Sequence, residues 1–167
     1  SLYLGLPIAC YAVGVVLHLH GPLTFWRTLA YVAVFHFVRQ QVGWVAIYRA
    51  RAGERDPVDR RLDSAVIYAA TGWPLLSWHT HLPRAFDWFM AGDFAPAPPF
   101  ASKLLAPAGA VYLLLLLAYA ARSVEHWRAG RVVNWGKHLV IGTTCATWLI
   151  GIVVWNDDFS FTVTNVV

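Results

Sequence analysis

Five long apolar runs organise the chain: Leu2–Leu19, Leu23–Tyr48, Leu62–Trp78, about Leu104–Ala121, and Leu139–Trp155, with a sixth rising from Phe159. Each approaches the ~20 residues a helix needs to cross the hydrocarbon of a bilayer. Continuous runs of this length suit helices and not the alternation of barrel strands. The pattern predicts an all-α fold, a polytopic transmembrane helical bundle of at least five spans. Run three is interrupted by Gly72-Trp73-Pro74, where a proline without an N–H predicts a kink. Between runs three and four, Leu82–Phe89 places Leu82, Ala85, Phe86 and Phe89 on one helical face, with Arg84 and Asp87 off it. That spacing predicts a short interfacial helix, after which a proline-rich stretch at 95–100 leads back into run four.

The polar residues between the runs orient the bundle. Arg49, Arg51, Arg55, Arg60 and Arg61 separate runs two and three, and Arg122, Arg128, Arg131 and Lys137 separate runs four and five. Nine of the thirteen basic residues therefore fall on one face of the membrane. The positive-inside rule makes 49–61 and 122–137 cytoplasmic loops, in a bacterial inner membrane. Tryptophan agrees: Trp26, Trp44, Trp78, Trp88, Trp127, Trp135 and Trp155 fall near span ends, where an indole has both hydrocarbon and water.

Composition changes the picture little. The chain of 167 residues is 58% hydrophobic and 13% charged, against roughly a quarter charged in soluble domains. Its net charge of +4 is accounted for by the loops, so nucleic acid is not an expected partner. The run-like ends at Ser1 and Val167 read as those of one transmembrane domain, 1–167, cut from a longer chain. Cys10 and Cys145 read as small apolar fillers. Gly142 and Ala146, beside Thr143 and Thr144, read as a small-residue stripe for close helix packing.

Candidate chemistry sits where ionisable groups meet the spans, since such groups are costly in a membrane unless they face a bundle interior or a cavity. His36, Arg39, Gln40 and Gly43 share one stripe of run two. Arg39 there needs an anion, with Asp63 and Glu125 the nearest candidates. The stripe reads either as polar glue between helices or as the lining of a ligand or metal cavity. His18, His20, His79 and His81, with Asp157 and Asp158, collect at the outer side. His126 and His138 lie at the inner side. Neutral imidazole is the commonest metal ligand, so the outer set, together with His36, is a candidate iron or zinc site. Histidines paired across neighbouring helices could alternatively hold b-type haem. Signatures of other catalytic classes, GxSxG, Walker A and the dinucleotide glycine fingerprint, do not occur.

The residues His18-Leu19-His20, His36-Phe37-Val38-Arg39-Gln40-Gln41, Trp78-His79-Thr80-His81 and Glu125-His126 resemble, in style, the histidine-rich polytopic membrane oxygenases: fatty-acid desaturases and hydroxylases, and bacterial membrane carotene dioxygenases. The desaturase boxes HxxxH and HxxHH do not occur, so the resemblance transfers no residue's role. It implies a membrane-embedded, metal-dependent oxidoreductase acting on a lipid or isoprenoid substrate, with membrane lipids as surroundings. Two alternatives stand beside it. One is a transporter or channel subunit using His36, Arg39 and Gln40 as a polar relay, and the other is a transmembrane cytochrome.

Overall fold

The computed structural model describes residues 2–83 and 87–155. Five α-helices follow one another: α1 (Leu2–His20), α2 (Pro22–Arg51), α3 (Pro57–Thr80), α4 (Leu105–Arg128) and α5 (Trp135–Trp148). A 3₁₀ turn at Pro99–Leu104 leads into α4, and π-helical geometry over Leu149–Val154 prolongs α5. No strand occurs among the described residues.

The local sequence explains the breaks. Gly21 and Pro22 separate α1 from α2; the proline sits in the first turn of α2, where its missing N–H costs nothing. At one end of the bundle, α2 and α4 both stop on a positive-φ glycine, Gly53 (φ 68°) and Gly130 (φ 71°). Each is followed by an N–H that reaches back to the last helical turn, Glu54 to the Arg49 carbonyl and Arg131 to the His126 carbonyl, both at 3.0 Å. This closing pattern requires a left-handed residue. The next helices begin on side-chain caps: the Asp56 carboxylate accepts from the Val58 N–H at 2.8 Å, and Asn134 Oδ1 from the Lys137 N–H at 3.2 Å.

α3 is the central helix, packed against α2, α4 and α5, while α1 packs chiefly on α2. Two apolar clusters fill the bundle. Toward the α1–α2 turn, Ala30, Val34 and Val38 meet Trp78, Phe94, Trp148 and Ile152. Toward the Gly53 and Gly130 turns, Val45, Val66, Ile67 and Ile141 pack together. Close helix approach occurs at Gly109, where a Cβ would lie 2.9 Å from Trp73 Nε1, and at Gly136, where it would run into the Tyr48 ring.

α3 stays helical across Pro74, from Pro57 to Thr80. Two expectations need correction. The small-residue stripe of run five is not at a helix contact: Gly142 and Ala146 are exposed and nothing lies within 4 Å of the Gly142 position. Of the interfacial helix at 82–89, residues 84–86 lie outside the described residues, and 82–83 and 87–89 are coil and bends. There Asp93, fully buried, draws in the loop by accepting from the Trp88 and Phe89 N–H groups at 3.0 and 2.8 Å. Among the described residues three helical stretches are long and apolar enough to cross a membrane: Tyr3–His20, Pro99–Arg128 and Trp135–Val154.

Candidate functional site

The polar residues concentrate at the end of the bundle closed by Gly53 and Gly130. Asp56, Asp59 and Asp63 are spaced by three and four, so they share one face of α3, and that face meets cations from three other elements. Arg49, buried on α2, donates through Nη1 to Asp63 Oδ2 at 2.7 Å and through Nη2 to the Asp56 carbonyl at 3.0 Å. Lys137, buried at the start of α5, lies 2.8 Å from Glu54 Oε2 and 3.5 Å from Asp63 Oδ2. Arg122 on α4 spreads its guanidinium over three carboxylates: Asp59 at 2.8 Å, Asp56 at 2.9 Å and Glu125 at 2.8 Å. Buried Asp63 thus has two cationic neighbours and buried Asp59 has Arg122, which is what keeps ionised groups tolerable away from water.

Asn134 ties the two turns together, donating to the Tyr48 carbonyl at 3.1 Å and to Glu54 Oε1 at 2.8 Å. Burial raises the Glu54 pKa, but hydrogen bonds from Lys137 and Asn134 and the Lys137 and Arg49 charges outweigh it, leaving the carboxyl below its ordinary range. Asp56 is held low chiefly by the Val58 N–H, with the Arg122 charge adding to the effect.

Between α3, α4 and α5 this network borders a cavity of about 360 Å³. Its walls include Leu62, Val124, Trp127, Val132, Val133 and Trp135, and its polar side presents Asp59, Tyr119, His126 and His138. His126 Nε2 is 3.3 Å from Asp59 Oδ2 and 3.2 Å from Arg131 Nη1. A protonated Nε2 pairs with the aspartate, and a bare one accepts from the arginine. His138 Nδ1 is hydrogen-bonded to the Tyr119 hydroxyl. The cavity therefore holds two imidazoles, each with an oxygen partner, suited to giving and taking protons.

Of the sequence candidates, Asp63, Glu125, His126 and His138 belong to this end of the bundle. Arg39 does not pair with Asp63 or Glu125, because those carboxylates are taken by Arg49, Lys137 and Arg122; Arg39 Nη1 instead donates to the Tyr68 hydroxyl at 2.6 Å. The stripe of His36, Arg39, Gln40 and Gly43 is exposed. The buried face of α2 is Ala30, Val34, Val38, Val45 and Arg49. Gln41, beside that stripe, also reaches a neighbouring helix, accepting from the Thr144 hydroxyl at 3.1 Å.

The outer histidines are held apart. His18, exposed on α1, meets the Phe25 ring edge-on, and His20 is exposed beside it. His79 sits among Tyr31, Trp78 and Phe94, with Nε2 3.0 Å from the Tyr31 hydroxyl and Nδ1 donating to the Leu75 carbonyl at 2.7 Å. His81 turns back onto the Ser77 carbonyl. Asp157 and Asp158 lie outside the described residues. Among the described residues no three His, Cys, Asp or Glu side chains gather to hold a metal ion. Sequence reasoning missed Asp59, Tyr119 and Arg122 as site residues; the 56/59/63 spacing was the available signal. Compared with protein-family models, curated proteins and solved structures, the chain matches none of them.

Proposed function

We propose that the chain is a polytopic integral membrane protein with α1–α5 as its spans, and that the α3/α4/α5 cavity takes the polar end of an amphiphilic, lipid- or isoprenoid-like substrate for acid–base chemistry. The observation that carries this reading is the pairing of apolar walls with two partnered imidazoles in one cavity. The Leu62, Val124 and Trp127 side suits a hydrocarbon portion, and the His126–Asp59 and Tyr119–His138 pairs suit a hydroxyl or carbonyl at its end. Asp59 would orient His126 as proton acceptor, with Tyr119 and His138 on the other side as donor. This acid–base reading is better supported than a metal-dependent oxidoreductase, since the carboxylates near the cavity are engaged by arginine and lysine. The exposed His36, Arg39 and Gln40 lend no support to a relay through the bundle interior.

Mass spectrometry of lipids retained by detergent-purified protein tests the proposal. An isoprenoid or lipid species retained by the wild type should be lost from His138→Ala and Tyr119→Phe. Equal retention by both variants would overturn the cavity assignment. Stoichiometric iron, or a Soret band, would return the oxidoreductase or cytochrome reading to first place.

A further inference from the structure

A second hollow, on the other side of the Arg49–Asp63 pair, is not used by the reading above. It encloses about 620 Å³ in the groove between α2 and α3. Its polar lining includes Arg39, Arg55, Arg60, Ser64 and Tyr68, and its apolar floor includes Val42, Val45 and Ala46. A smaller hollow of about 480 Å³ shares Arg60, Ser64 and Tyr68 and adds Arg61. The groove exists because its walls are small: Gly43, Ala46 and Ser64 face it, and nothing lies within 4 Å of the Gly43 position.

Its charge is uncompensated. Arg49 and Glu54 also border it, but Asp63 neutralises the first and Lys137 the second. Among the described residues, Arg39, Arg55, Arg60 and Arg61 have no carboxylate within ion-pair distance. Arg39 stands twelve residues before the end of α2, ~18 Å along the axis at 1.5 Å per residue. At that depth an arginine needs oxygen acceptors. Its fork carries five N–H donors, and the Tyr68 hydroxyl is its one hydrogen-bond acceptor among the described residues. The groove thus reads, from the basic end inward, as arginines, then an apolar floor, then a guanidinium with one hydroxyl partner.

We propose that this groove seats an anionic phospholipid, its phosphate against Arg55 and Arg60, an acyl chain over Val42 and Ala46, and an ester oxygen toward Arg39 and Tyr68. A free phosphate would use the arginines alone and leave the floor and Arg39 unexplained. Basic hollows between spanning helices at the cytoplasmic surface are suited to such head groups. The inference rests on the membrane reading of α2 and α3.

The test uses the full chain in detergent, titrated with phosphatidylglycerol, with phosphatidylcholine and with inorganic phosphate, and bound species counted by native mass spectrometry. Phosphatidylglycerol should bind in preference to phosphatidylcholine. The double variant Arg55→Gln/Arg60→Gln should weaken it by on the order of tenfold, and Arg39→Gln should weaken it further. The charge-matched control Arg51→Gln/Arg128→Gln, whose residues are exposed outside the groove, should change it less than about twofold. Equal losses in both double variants would reduce the effect to general surface charge and overturn the site. So would the absence of any preference in the wild type, or phosphate binding with the same variant dependence in place of the lipid. Unchanged melting temperatures in the variants exclude misfolding as the cause. Alkaline carbonate extraction separates the two proposals: protein that stays with the membrane yet shows no lipid preference loses the groove alone.

Discussion

Asp63 is 2% exposed and shared between Arg49 and Lys137. Removing one member of a buried ion pair leaves a charge without compensation and costs about 3–5 kcal/mol. Asp63→Ala should therefore lower the melting temperature in detergent severely, whereas Arg39→Leu, at an exposed position bonded to a tyrosine hydroxyl, should leave it nearly unchanged. Comparable melting losses in the two variants would contradict the assignment of partners. Glu54 and Asp56 predict an acid limit. Both are held below their ordinary range in the fold, so the folded state binds fewer protons than the unfolded one. Their stabilisation is fully present above the ordinary carboxyl values of ~4 and is lost as pH falls through the lowered folded values. Thermal melts should be flat in this contribution from pH 7 to 5 and fall below about pH 4. Glu54→Gln should shrink that acid drop, and an unchanged drop would remove Glu54 from it.

Two glycines sit at close helix contacts and a third, Gly142, does not. At Gly136 a methyl would enter the Tyr48 ring, and at Gly109 it would press on the Trp73 indole, whose Nε1 donates to the Leu105 carbonyl at 3.1 Å. Overpacking of this kind costs about 1–3 kcal/mol. Gly142 has open space around it, and alanine in a helix is favoured over glycine by roughly 0.8–1.0 kcal/mol. The expected order of melting temperatures is Gly142→Ala at or above wild type, then wild type, then Gly109→Ala and Gly136→Ala. If Gly142→Ala destabilised as much as Gly136→Ala, the α5 face assigned as exposed would be a helix contact after all. The same helix-level logic explains α2, where Val34, Val38 and Val45 turn inward and the polar stripe turns out.

Across the whole molecule the apolar surface is extensive. Tyr3, Leu4 and Leu19 of α1 are 92%, 69% and 81% exposed, and Leu113, Leu114 and Leu117 line the outside of α4. Patches of that size on a protein in water mark a missing partner or a membrane, and the three apolar helical stretches point to the latter. The Glu54–Lys137 and Arg122–Asp56 pairs tie the 52–56 turn to α5 and α4, and Asn134 joins it to the 129–134 turn. Cysteines placed at 55 and 128 should therefore label from the same side of the membrane, and by the charge rule from the cytoplasmic side. Labelling of one from outside and the other from inside would contradict the bundle itself, while labelling of both from outside would invert only its orientation.

Local pattern was enough to determine the helical class, the helix ends near Leu19, Tyr48, Trp78 and Leu104, and the grouping of the basic turns, because run length, glycine–proline breaks and charge are properties of neighbouring residues. It also marked Asp63, Glu125, His126 and His138 as worth attention. The partners of those residues were decided by tertiary structure. Arg49 and not Arg39 meets Asp63, and His79 meets Tyr31 and not His18 or His20, because such pairs depend on the rotation and axial register of one helix against another. In a soluble bundle the apolar stripe would reveal that rotation. On α2, however, Val32, Phe35 and Ile47 are exposed while Arg49 is buried, so hydrophobicity alone does not distinguish its inside from its outside. The inward face of α2 was then set by how Val34, Val38 and Arg49 fit Trp148, Trp78 and Asp63, contacts that exist only once the chain is folded.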